Sequence, residues 1–415
     1  MVTMEQAASD GSNREHRARE WIRALTELPD RFAGTPVERA AAERIATWMR
    51  GLGAPQVGLE PSRSAPRAGF VIALHTALAL LGMWRGGLLG AVLAGVALWS
   101  FRSNLRHGRP RLARLLPAPD SVNVVGRLGP AAPQRRVVLS AHIDSAQAGW
   151  LFSRVLADRF AAIAGGRARS DAPPPGPLAL PEALMIAAAV LAVAGWMGAH
   201  GFTFGVLRVV VGLGLALACG LTLQWATSPP TPGANDNASA VAAMLTCAER
   251  LAAELPDDVE LWVVGTGAEE VGSCGMHGFV ERRAAWPTQT TFYINFECVG
   301  GGALHYIRSE GVLAKAYFPP ALNEIARRVA ASGAFGEVTP TDLLAATDGH
   351  VPAARGYPTL SLISLEANGI PRNYHRREDT VDGIDTAMVV RAADFGAAVA
   401  TAALRSTEPE APIRG

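Results

Sequence analysis

Two adjacent glutamates, Glu269 and Glu270, close the stretch LWVVGTGAEE. The apolar run before them, Leu261 to Val264, reads as a strand buried on both faces. Carboxylates are costly to bury without a partner, so a pair placed at the end of a core strand asks for a cation. Four more positions of the same kind follow from the sequence. His142, Ile143 and Asp144 come after RRVVLSA, Asp236 lies between two asparagines in GANDNAS, Glu297 ends FYINFE, and His375 follows GIPRNY. In open α/β sheets ligands bind beyond the carboxyl ends of the strands, which is where these residues are expected. Their nitrogen and oxygen donors suit zinc, and also cobalt or manganese. Singly, each has an ordinary explanation. HxD makes a capped surface turn, and an Asp before a helix is an N-cap. A Glu pair makes a solvated face, Glu297 a salt bridge, and His375 a loop residue held by Asp379. Their joint order is what points to a metal centre.

The elements that must position these side chains are strands alternating with helices. SVNVVGRL, RRVVLSAHIDS, VELWVVGTGA, QTTFYINFECVG and YPTLSLISLE read as strands. ASAVAAMLTCAERLAAEL, AYFPPALNEIARRVAASG and DTAMVVRAADFGAAVATAALRS read as helices. This alternation predicts an α/β fold with a mixed, mostly parallel central sheet sandwiched by helices. Two helices are expected before it, the second starting at Pro36 and stopping at Gly53.

Two long apolar stretches interrupt this pattern, in a chain of 415 residues that is 49% hydrophobic. Residues 69–101 have Arg85 beside Gly86 and Gly87 at their middle, and residues 182–226 break near GAHGFTFGVLR. Each reads as a transmembrane helical hairpin. The halves of the first, about 16 apolar residues and roughly 24 Å long, are a little short for a bilayer core of about 30 Å. The competing reading is a helical hairpin buried in a soluble core. A Pro- and Gly-rich linker spans residues 164–181. Four spans would leave every soluble segment on one side. Arg63, Arg67 and the arginines from Arg102 to Arg114 lie on that side, so the positive-inside rule makes it cytoplasmic. The expected protein is an integral membrane protein.

Bulk composition excludes little else. A net charge of +1 gives no case for nucleic acid. The polar first residues contain no apolar h-region, so a cleavable signal peptide is not expected. Four cysteines without CxxC spacing read as reduced thiols, consistent with an intracellular location.

The motifs AHIDS, GANDNASAVAAML, GTGAEEVGSCG, YINFECVG, TDGHVPAARGYPTLSL and YHRREDT together resemble those of the di-zinc aminopeptidase family. That family includes bacterial leucyl aminopeptidases, glutamate carboxypeptidase II and glutaminyl cyclases. RFAGTPVERAAAERIATWMRGLG resembles its N-terminal helical region. The resemblance leaves out both apolar stretches. It implies a metallopeptidase domain in three pieces, residues 19–68, 102–181 and 227–406, with tails at 1–18 and 407–415 and the hairpins at 69–101 and 182–226. It implies a peptide substrate and two zinc ions. His142 and Glu297 would bind the first ion and Glu270 and His375 the second, with Asp236 bridging both. Asp144 would fix the tautomer of His142. Glu269 would stay off the metals and act as general base, while Asp348 would support the network.

Two departures from the family pattern stand out. Glu297 occupies a position where the family commonly has Asp. His142 and Asp236 lie 94 positions apart, and the second apolar stretch fills much of that gap, which would bring the site near a bilayer. Two other functions fit the same scaffold. One is a cyclase acting on N-terminal glutamine with one zinc, and the other is a non-catalytic membrane protein with a peptidase fold.

Overall fold

A computed structural model describes residues 4–107, 111–156, 159, 179–311 and 315–406. Most of the expected linker at 164–181, and the tail at 407–415, lie outside the described residues. Helix α1 (Met4–Thr26) begins well inside the stretch read as a tail, and its last turns bury Ala18, Trp21, Ile22 and Leu25. Helix α2 (Pro36–Gly51) starts as the sequence signals: Thr35 accepts from the N–H of Glu38, and proline occupies the first position.

The sheet runs in the order β1 (Gln56–Arg63), β2 (Asp120–Leu128), β4 (Val259–Thr266), β3 (Arg135–His142), β5 (Thr291–Glu297), β9 (Thr359–Leu365), β6 (Ala303–Glu310) and β7 (Ala316–Tyr317). Strand β8 (Val338–Leu343) pairs with β6 off this path. The expectation of a mostly parallel sheet is corrected by the pairing. β1–β2, β2–β4, β6–β7 and β6–β9 are antiparallel, so only the centre, β4–β3–β5–β9, and the β6–β8 edge run parallel. The strands that reverse direction include those the alternation rule passes over. β1 and β8 contain proline and alternate polar with apolar residues, and β7 has two residues.

Successive residues of β3 and β4 point to opposite faces. Leu139 and Val263 join one large core with α1, α2, α7 (Ala240–Ala252), α9 (Pro320–Ala331) and α11 (Thr386–Ser406). Val138 and Val264 pack on the other face with Met276, Phe279 and Val280 of α8 (Cys274–Arg282) and Val351 of α10 (His350–Ala354). Both faces are thus covered, and the site lies at the C-terminal end of the parallel centre, where His142, Thr266 and Glu297 are the last residues of β3, β4 and β5.

The two apolar stretches are also corrected. They form α3 (Ala68–Arg85) with α4 (Gly87–His107), and α5 (Ala179–Trp196) with α6 (Phe202–Thr227). Among the described residues only one helix of each pair, α3 or α6, is long and apolar enough to cross a membrane, so paired transmembrane hairpins are not what the structure has. α4 ends in a segment carrying Arg102 and Arg106, and the apolar part of α5 is short. The four helices instead pack as one layer whose core includes Ile72, Ala79, Met83, Phe101, Met185 and Leu215. α11 also passes the length and composition test, yet its Val389, Phe395 and Val399 are fully buried in the sheet's core.

Candidate metal centre

Strand ends and the loops beside them bring the donors to a common point. His142 at the end of β3 is buried, and its Nδ1–H donates to the carbonyl of Asp144 at 3.0 Å. That leaves Nε2 as an acceptor, yet Nε2 faces Asp236 Oδ1 and Glu297 Oε1, both at 3.2 Å. Three acceptors converging on one point need a cation or a proton among them. Burial by itself would push the pKa of His142 down. The carboxylates of Glu297, Asp144 and Asp236 outweigh it and hold the imidazole well above its ordinary value.

A second convergence shares Asp236. His375 Nε2 lies 3.3 Å from Asp236 Oδ2 and 3.4 Å from Glu270 Oε2. The ring is wedged among aromatic groups, stacked on Tyr374 at 3.9 Å between centroids and covered by Phe152 at 4.4 Å. Trp225, near the end of α6, stands 6.4 Å away, so the inserted helical layer reaches the rim of the site. The donor atoms of His142, Asp236 and Glu297 lie within 4.8 Å of one another, and so do those of Asp236, Glu270 and His375. A third such group is His142, Glu269 and Glu270.

The donor set fits a pair of zinc-type ions. Asp236 Oδ2, Glu270 Oε1 and His375 Nδ1 are buried with no hydrogen-bond partner, which is costly unless a ligand meets the carboxylates. Burial, and then the charge of Asp236 and Glu269, holds Glu270 well above the usual carboxylate range. Glu269 is raised likewise, by burial first and by Glu297 and Asp348 against the opposing pull of His142. Glu297 is raised by burial and by Asp236, again against His142. Asp236 alone moves the other way: the two histidines overcome its burial and hold it below the usual range. Two divalent ions would offset this crowding of negative charge.

The backbone around these donors is held by residues that the sequence did not single out as such. The ordinary alternative for His375 is a loop residue held by Asp379. The Asp379 carboxylate instead accepts the N–H groups of Asn235 at 2.7 Å and Asp236 at 3.0 Å. Burial raises it to about 7, against those two bonds. Asn237 bridges onward: its Oδ1 accepts the N–H of Cys298 at 2.9 Å, and its Nδ2 reaches Glu297 Oε2 at 3.4 Å. Arg31 is the largest fully buried side chain. Its guanidinium donates to the carbonyls of Leu25, Ile143, Pro232 and Gly233, tying α1 to the loops that carry Asp144 and Asp236. The basic charge amid Asp379, Asp144 and Asp236 is a signal a sequence cannot show, because those acids are scattered along the chain. Asp144 does not act through its backbone alone. Its carboxylate also accepts the N–H groups of Glu269 and Glu270, each at 3.1 Å, so one residue orients both His142 and the glutamate pair. Asp348 accepts a hydrogen bond from the hydroxyl of Thr266, the last residue of β4.

Comparison with known proteins agrees with this geometry. Residues 222–400 match the model of Peptidase family M28. Among solved structures, BSAP, a zinc aminopeptidase from Bacillus subtilis, superposes with a TM-score of 0.55 at 17% identity, covering 94% of this chain and 95% of that one. The fold is that of the M28 peptidases. An aminopeptidase from Aneurinibacillus sp. strain AM-1 gives a TM-score of 0.53 at 16% identity over 94% of this chain and 93% of its own. The glutaminyl cyclase of Porphyromonas gingivalis gives 0.51 at 14%, over 94% and 98%. No curated protein sequence matches. The family match and the cluster of His, Asp and Glu donors make the chain a metallopeptidase with a di-metal, zinc-type site.

Proposed function

We propose that the protein is an aminopeptidase in which His142, Asp236 and Glu297 hold one zinc ion and Asp236, Glu270 and His375 the other. The observation that carries this is the sharing of Asp236, with one oxygen toward each histidine and Glu269 beside both groups. When bound, the zinc pair supplies Lewis acidity and lowers the pKa of water. Glu269 accepts the proton of the attacking water and returns it to the leaving amine, a task suited to a carboxyl whose pKa lies above its ordinary value. Asp144 holds His142 in one tautomer and fixes the turn that carries Glu269. The acidic side chains at the site favour a substrate with a free, positively charged α-amine. Two complete donor groups favour the peptidase over a one-zinc cyclase of the same fold.

The four-helix layer supports a membrane-facing role for this enzyme. It exposes Trp84, Leu88, Trp99, Val210, Leu213 and Leu217, each more than half exposed, and large apolar side chains gathered on one layer mark an interaction surface. Arg63 ends β1, Arg67 precedes α3, Arg102 lies in the last third of α4 and Arg111 follows it, a clustering of arginines at the ends of the apolar helices that favours a cytoplasmic catalytic part. Hydrolysis of matched peptides with free and acetylated N-termini, before and after zinc removal by a chelator, tests the activity. Cleavage of only the free peptide, lost with zinc and restored by it, is expected. Cleavage of both peptides alike would contradict the aminopeptidase assignment.

A further inference from the structure

Four consecutive backbone N–H groups leave the end of β4, and each is held by a side chain. Gly267 donates to Asn123 Oδ1 at 3.0 Å and Ala268 to Glu38 Oε1 at 2.9 Å. Glu269 and Glu270 donate to the two oxygens of Asp144, both at 3.1 Å. Between the strand and the glutamates the chain turns through Ala268, which is fully buried with φ +54°. That left-handed conformation is strained for a residue with a Cβ, so something must hold it. Backbone bonds from Cys274 to Ala268 and from Gly275 to Gly267 close the turn behind it.

Glu38, which holds the N–H of Ala268, comes from a helix far along the chain. Thr35-Pro36-Val37-Glu38 has the sequence of a capping box, in which the glutamate would reach back to the N–H of Thr35. Here that N–H bonds the carbonyl of Phe32, and the glutamate is released. Its Oε2 accepts Gly34 N–H at 2.8 Å, while Oε1 accepts both the Ser121 hydroxyl at 2.7 Å and Ala268 N–H. The carboxylate is 1% exposed. A Cβ at position 267 would sit 2.7 Å from Glu38 Oε1 and 2.4 Å from Ser121 Oγ, so the fit around the turn is close on every side.

We propose that Glu38 is a positioning residue for the general base: by holding Ala268 in its left-handed conformation it sets the direction in which Glu269 leaves the strand. The inference rests on Glu269 acting as the base. Glu38→Met removes the acceptor at similar volume, and Glu38→Gln keeps one oxygen for Ala268. Steady-state kinetics on a free-amine peptide should show kcat about 10²-fold lower in Glu38→Met, the loss a misplacement of about 1 Å brings. KM and the zinc content should be unchanged, and Glu38→Gln should restore most of kcat. Placed in a Glu269→Gln background, Glu38→Met should cost nothing further, because the group it positions is already gone. Should Glu38→Met not fold, Ser121→Ala reads the same effect more weakly, with kcat several-fold lower and KM unchanged. Wild-type kcat in the variant that folds, a rise in KM alone, or a loss that multiplies with Glu269→Gln would overturn the role of Glu38. A wild-type chain without zinc-dependent hydrolysis would instead sink the peptidase reading on which it stands.

Discussion

Glu269→Gln separates the base from the ligands that surround it. The substitution exchanges one carboxylate oxygen for an amide of the same shape. The Ser273 hydroxyl, which donates to Glu269 Oε1 at 3.3 Å, can still donate to the amide oxygen. The backbone bond from Glu269 to Asp144 does not depend on the side chain. Neither donor group that shares Asp236 includes Glu269, so both metal positions should survive. Stability should not fall, because a carboxylate crowded by Glu297 and Asp348 becomes neutral. What disappears is proton transfer, typically about 10²–10⁴-fold in rate. At about 1.4 kcal/mol per decade that is about 3–5.5 kcal/mol of barrier. Release of a chromogenic amine from an amino-acid anilide should fall by that factor in kcat. Metal content by mass spectrometry and the midpoint of thermal unfolding should stay at wild-type values. Loss of one metal would show that Glu269 is a ligand, as its place in a group with His142 and Glu270 would then require, and residual activity above a tenth of wild type would refute its role as base.

Other perturbations read other parts of the site. Glu297→Ala should remove one metal of two and lower activity without abolishing it, checked by metal stoichiometry; two metals retained would end its ligand role. Asp379→Asn leaves one acceptor for two backbone donors and should weaken metal affinity about 10–100-fold by chelator competition, the usual effect of disturbing a ligand's support. Asp258→Asn removes a carboxylate whose two oxygens each accept from Arg135 at 2.7 Å, bonds that hold its pKa below the ordinary range. Because Asp258 is partly exposed and its charge is screened there, the loss should be about 1 kcal/mol. A depressed pKa contributes stability above the unfolded value and loses it as pH falls, so wild type and variant should differ fully above about pH 4 and converge below it in denaturant titrations.

The candidate donors could be picked from the sequence because His142, Glu269, Glu270 and Glu297 end or follow strands with continuous apolar runs, Asp236 precedes an amphipathic helix, and their order along the chain, with His375 last, resembles a known arrangement. Their supports could not. Asp379, Arg31 and Glu38 act on backbone groups 143, 112 and 230 positions away, and no local pattern marks such a contact. Glu38 was hidden by a better local explanation, since T-x-x-E before an apolar helix is complete as a capping box. The central strands were read correctly from their continuous apolar runs. The flanking strands β1, β6, β7 and β8 were missed, and with them three of the four antiparallel pairings, because β1, β6 and β8 mix polar residues among apolar ones, β1 and β8 contain proline and β7 has two residues. The apolar helices show the opposite error. Composition counts apolar residues but not what covers them: Ala79, Phe101 and Met185 are buried by neighbouring helices, whereas Leu213 and Leu217 are not.

Native mass spectrometry of the purified chain at graded zinc concentrations tests the two-ion site most directly. Two groups that share Asp236 predict two zinc ions per chain, with the doubly loaded form tracking hydrolysis of a free-amine peptide. Saturation at one ion, or full hydrolysis by a chain that binds none, would contradict the account.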